Sequence, residues 1–157
     1  MVSTWTKTLE WMGNMIIGGR PVRWVYMDDE RAAPEHPDEG RGNTWILCKT
    51  VESTLAVIDE ILAKDPSTLL VLSLDHDMGE NVPTGYAAIT ALAEKWDAGL
   101  QGFPALINIH SMNHPAKMNM YQFLRDYADS VGFTLMLAYD VPHVTMNMVS
   151  ILEDRFS

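Results

Sequence analysis

The chain alternates short apolar runs with stretches of helical period, and three of the runs end in dense polar clusters. Residues 22–27 run into Asp28-Asp29-Glu30-Arg31, residues 69–74 into Asp75-His76-Asp77, and residues 105–109 into His110-Ser111-Met112-Asn113-His114. Short apolar runs bounded by turn residues read as strands buried on both faces of a parallel sheet. Between them, Val51, Leu55, Ile58, Ile61 and Leu62 form a helical stripe over 51–64, with Thr50 or Ser53 as its cap. Thr84 or Gly85 opens a second helix reaching about Trp96. His114-Pro115 opens a third that runs to about Ser130, just before Gly132.

This pattern predicts strands over 21–27, 44–49, 68–74, 105–109 and 133–138, and a final helix over 145–154. Ahead of the first strand, Trp5, Leu9, Met12 and Ile16 share a helical face, so a helix over 4–17 is expected, ended by Gly18-Gly19. It either packs on the sheet edge or offers a contact to a second copy or a partner. The stretch 31–43 holds two prolines and two glycines and reads as a long loop, a rim or a lid. The expected fold class is α/β, a three-layer sandwich around a mainly parallel five-stranded sheet, with an extra helix at each end. One domain is expected over 1–157, with an extension over 1–20, a core over 22–138 and a tail and helix over 139–157. Ligands of open α/β sheets bind beyond the carboxyl ends of the strands. The three polar clusters should therefore meet at one edge of the sheet.

Charge narrows the partners. The formal net charge is −10, with 11 Lys and Arg. That argues against a duplex nucleic-acid surface, which needs many phosphate contacts. A small phosphorylated ligand held through a metal remains compatible, as does a protein partner with a basic face or a homodimer. No run is long enough to span a bilayer and no signal peptide is visible, so the expected location is the cytoplasm. Cys48, the one cysteine, is expected as a buried free thiol, and the 11 methionines chiefly as core filling.

The clusters carry the chemistry. Adjacent carboxylates repel unless a cation or proton separates them, so Asp28-Asp29 at a strand end suggests a divalent cation, most simply Mg²⁺, with Mn²⁺ as an alternative. Capping or a solvated turn is the structural alternative. In extended backbone Asp75 and Asp77 would share a face, with His76 opposite. His110 and His76 are the groups suited to exchange protons near neutral pH. Ser111 suits phosphate oxygens or a nucleophilic role, and Lys117 lies in the first turn of a helix whose amide end favours anions. Asn119 either supports the loop or binds ligand. His36 and His143 are expected at the surface.

At these positions the chain resembles receiver domains, in which an acidic pair ends strand one, an Asp strand three, a Ser or Thr strand four and a Lys strand five. Asp28, Asp29, Asp75 and Ser111 match. Strand five instead ends in Ala138-Tyr139-Asp140, and a loop follows strand one where a receiver has a helix. The closer resemblance is to the cyclic-phosphate-processing receiver family. It is carried by Asp28–Arg31, Ser73–Gly79, Thr84-Gly85-Tyr86, Ile109–Asn113 and Asn119-Met120. The resemblance implies a 2-1-3-4-5 strand order and a metal-dependent phosphoesterase acting on a cyclic phosphate, at a nucleotide or an RNA end, in a phage or bacterial conflict setting. Asp28, Asp29 and Asp75 would hold the metal. His76 and His110 would supply the proton, with Asp77 orienting a histidine. Arg31, Ser111, Asn113, Lys117 and Asn119 would surround the ligand. Two rivals stand beside this reading: a non-enzymatic protein-binding module, and a phospho-accepting receiver with Asp75 as acceptor.

Overall fold

The computed structural model describes residues 15–32, 34–37 and 43–157. Its first element, Ile16–Ile17 (β1), pairs antiparallel with the start of Arg20–Met27 (β2). Gly18 and Gly19 join them with φ of 59° and 76°. Positive φ at both loop positions is what a two-residue hairpin turn requires. The expected helix over 4–17 is corrected here: Ile16 and Ile17 are strand residues, and the glycines turn a hairpin instead of ending a helix. Residues 4–14 of that stretch lie outside the described residues. Gly18 is also fixed by packing, because a Cβ on it would sit 1.8 Å from the Phe156 carbonyl oxygen.

β2 runs parallel to Trp45–Cys48 (β3) on one side and to Leu69–Leu74 (β4) on the other. Leu106–Ile109 (β5) and Thr134–Met136 (β6) continue the parallel sheet beyond β4. The five parallel strands thus lie in the order β3-β2-β4-β5-β6, as expected for the receiver-like fold, and β1 adds an unexpected sixth, antiparallel strand.

Period-two alternation along β2 assigns its two faces. Val25 and Met27 face a core shared with Val51–Lys64 (α1), Gly85–Asp97 (α2) and His114–Val131 (α3). Trp24 and Tyr26 face a second core closed by Val141–Phe156 (α4) through Val141, Met148 and Leu152. Local signals set the ends of these helices. Thr50 and Ser53 form a reciprocal capping box on α1, and Gly132 ends α3 at φ 83°. α4 starts four residues before the expected 145, since Pro142 fits the first turn, where no amide hydrogen is needed.

The described residues of the segment after β2 form no helix, and His36 there is buried, against the expectation of a surface position. The His36 ring meets the edge of Trp24 at 4.5 Å, so this loop helps cover the sheet face on which α4 also packs. Cys48 is a buried free thiol, and burial pushes its pKa up to about 12. Among the described residues, no helix is long and apolar enough to cross a membrane.

Candidate functional site

Parallel register sets β2, β4 and β5 level at their carboxyl ends: Met27 pairs with Leu74, and Leu74 with Ile109. The next residue of each strand is therefore Asp28, Asp75 or His110. All three side chains are buried, and each offers a ligand atom within 4.8 Å of the others. The three sequence clusters converge.

Asp28 is the hub. Its Oδ1 accepts from the amides of Glu30 and Arg31 at 2.9 and 3.0 Å. Its Oδ2 accepts from Arg31 Nη1 at 2.7 Å and faces His110 Nε2 at 3.0 Å. Burial alone would raise this carboxyl. The donors from His110, Arg31 and Glu30 outweigh it and hold Asp28 below the usual carboxylate range. With Asp28 ionised and able only to accept, His110 Nε2 is the donor.

The other ring nitrogen continues inward. His110 Nδ1 lies 2.8 Å from Ser73 Oγ, which accepts from Asn108 Nδ2 at 3.0 Å. The Ser73 hydroxyl hydrogen then goes to His110 Nδ1. Asn108 is itself locked by two bonds to the Ala138 backbone, one from Nδ2 to the carbonyl and one from the amide to Oδ1. Tyr26 stacks on the imidazole at 4.4 Å and 5°. Burial and the Asp28 charge push its phenol up to about 12. A directed hydrogen-bond chain thus runs beneath the site from the end of β6 to Asp28.

Arg31 sits above this chain. Its Nη1 is 3.6 Å from Asp75 Oδ2, and its guanidinium lies 5.0 Å over the Tyr139 ring. Burial and the Asp28 charge raise the Asp75 carboxyl above its ordinary value. The cation nearest Asp75 in this network thus comes from the loop after β2, while the end of β6 contributes an aromatic ring.

Beyond Asp75 an open cleft of about 420 Å³ is lined by Asp29, Glu30, Asp75, Asp77, Glu80 and Arg31. β4 has ended at Leu74, so Asp75 and Asp77 reach this cleft from a loop, not from extended strand. His76 Nδ1 lies 2.6 Å from Asp77 Oδ1, forming a pair at the surface. Gly79 brings the β4 loop against Asp29: a Cβ there would lie 3.6 Å from Asp29 Oδ2.

The other expected ligand residues sit beside β5. Ser111 is buried, and its Oγ accepts from the Asn113 amide at 3.1 Å. Asn113 caps α3 through Ala116, and its Nδ2 lies 3.4 Å from Asp77 Oδ1. Lys117 and Asn119 lie on the first turns of α3, outside the cleft lining. Sequence reasoning gave no site role to Ser73, Asn108, Tyr26 or Tyr139. The first two carried a signal, as lone polar residues within apolar strand runs.

The model of one protein family, the cyclic-phosphate processing Receiver domain, matches residues 23–126. The chain belongs to this family. No curated protein and no solved structure matches the chain. The matched span includes every residue of the Asp28–Asp75–His110 group, Arg31, and the His76–Asp77 pair.

The group is capable of holding a metal ion by donor type, with two carboxylates and an imidazole. As arranged, however, Asp28 has four donors on its two oxygens, and His110 Nε2 carries the hydrogen it gives to Asp28. A cation at the centre of the three would have to displace the Arg31 guanidinium and that hydrogen. Asp29, with Asp75 on the cleft side, offers carboxylate oxygens without that exchange.

Proposed function

We propose that this receiver-like domain is a metal-dependent phosphoesterase that opens a cyclic phosphate in the Asp75 cleft. The observation that carries the reading is the meeting of a pinned guanidinium, a histidine–carboxylate pair and an acidic cleft at the strand ends matched by the family. The lining sets five carboxylates against one guanidinium. A phosphate anion would be repelled unless a cation enters with it. Asp29 and Asp75 are the residues assigned to hold that cation, most simply Mg²⁺ and alternatively Mn²⁺. When bound, it would supply positive charge against the phosphate oxygens and help activate water.

The chain's own residues divide the remaining work. Arg31 is held in place by Asp28 and can turn its other nitrogens to a non-bridging oxygen. Ring opening adds the oxygen of water to phosphorus and breaks one ring P–O bond; the attacking water gives up a proton to solvent, and the departing oxygen takes one. His76 is assigned as that proton donor, and Asp77, 2.6 Å from its Nδ1, would stabilise the imidazolium that gives the proton from Nε2. His110 is fully buried and both its nitrogens are engaged. It is assigned as a positioning residue acting through Asp28 and Arg31.

The test is turnover of a panel of cyclic phosphates with Mg²⁺, Mn²⁺ or a chelator. The expected result is a ring-opened monoester that requires the cation, with His76→Gln lowering kcat by about 10²-fold or more. Absence of turnover across the panel with either cation overturns the reading.

A further inference from the structure

A second opening of about 380 Å³ lies on the other side of Arg31, formed by Tyr26, Pro34, Tyr139, Asp140 and Pro142 together with that same guanidinium. Its chemistry differs from that of the acidic cleft. Tyr139 stands 45% exposed although its ring is fixed by Arg31 at 5.0 Å, and the two prolines add flat apolar surface. Asp140 occupies the N-cap position of α4 yet makes no capping bond. Its carboxylate pairs with His143 and is left at the rim of the opening. Tyr26 remains a neutral phenol well past neutral pH.

We infer that this opening is a nucleobase subsite, so that the ligand is a free mononucleotide whose phosphate enters the acidic cleft and whose base stacks beside Tyr139. The inference rests on the phosphoester reading and names its substrate class. Arg31 lines both openings, so one guanidinium separates an anion from a planar ring, as the ribose does within a nucleotide. A flat aromatic and proline surface suits a base, and a rim carboxylate suits an exocyclic amino group. A free mononucleotide is favoured over a strand because a net charge of −10 repels a polyanion.

The experiment titrates the full chain, with Mg²⁺ present, with adenosine 3′-monophosphate and separately with ribose phosphate. Neither probe has a ring to open, so the result does not depend on turnover. Tyr139→Ala is expected to weaken the nucleotide about 10-fold, to leave ribose phosphate unchanged, and to be rescued by Tyr139→Phe. Equal loss for both probes would mean that Tyr139 acts only through Arg31, and would overturn the subsite. So would no loss for either. A hexanucleotide 3′-phosphate that binds more tightly than the mononucleotide overturns the free-nucleotide assignment. If Tyr139-dependent binding is found while every cyclic phosphate stays intact, the subsite stands and the phosphoesterase reading falls.

Discussion

His110 Nε2 lies 3.0 Å from Asp28 Oδ2 with both side chains fully buried, which makes the imidazole a structural donor to a carboxylate that water does not reach. Removing it leaves a buried charge one partner short. His110→Ala should cost about 3 kcal/mol, the upper range for losing a buried hydrogen bond to a charged group. Ser73→Ala removes one hydroxyl from the same chain and should cost about 1 kcal/mol. The pair should be less than additive, since the Ser73 bond acts through His110. Urea unfolding of the three variants measures this. A His110→Ala cost no larger than that of Ser73→Ala would contradict the hub role of Asp28.

Asp28 and Asp75 respond to pH in opposite senses. Asp28 is held below its ordinary value, so its contribution is full above the unfolded pKa near ~4 and is lost as pH falls toward the depressed folded value. Asp75 is raised, so its contribution is present below the unfolded value and is lost as pH rises through the folded one. At neutral pH Asp75 is therefore a cost to the fold, set by burial and the Asp28 charge. Asp75→Asn should be more stable than the wild type at pH 7 in chelator, with the gap closing toward pH 4. Equal stability across that range would contradict the assignment. The same variant should lose turnover, a site residue held at the expense of stability.

Much of this architecture was legible because it rests on local periodicity. The apolar runs gave β2, β4 and β5 almost to the residue, and their shared direction brought Asp28, Asp75 and His110 together. Two elements were not legible, each for a physical reason. Ile16 fits a helical face and a strand equally well in a short window, and only pairing with Pro21 across two glycines decides between them. His36 looks like a loop residue because nothing local reports that its loop covers Trp24. Within the site, Asp28 and Arg31 are three residues apart, yet that one guanidinium bridges two aspartates depends on β4 lying beside β2.

Arg31 already occupies the place of a cation between Asp28 and Asp75. Arg31→Ala should therefore destabilise the metal-free protein and open that place to Mn²⁺, which would then bind between Asp28 and Asp75 as well as at the cleft, about 10-fold or more tighter given the strength of a full charge a few ångströms away. A merely long-range effect would fade in high salt, whereas direct displacement would persist. Titration followed by the electron paramagnetic resonance of free Mn²⁺, at low and high salt, reads both. Unchanged or weaker Mn²⁺ binding by a folded Arg31→Ala would show that the guanidinium and the ion do not compete. Turnover should fall in the same variant, because the group assigned to the phosphate is gone.

Gly85 connects the site to α2. Its amide donates to the His76 carbonyl at 2.8 Å, and a Cβ built on it would lie 2.0 Å from the Asp75 carbonyl oxygen and 3.0 Å from His76 Cα. Those are backbone atoms, which cannot swing aside as a side chain would. Gly85→Ala must push α2 away from the loop that carries Asp75, His76 and Asp77. The expected cost is about 2 kcal/mol or more, as for overpacking elsewhere, with turnover falling further than stability alone explains. Gly102→Ala is the control, since nothing lies within 4 Å of its Cβ and its φ is not in the left-handed region. Thermal unfolding and kcat measured on both variants decide the matter. If Gly85→Ala behaves like Gly102→Ala, the close approach of α2 is not what holds the His76–Asp77 pair at the cleft.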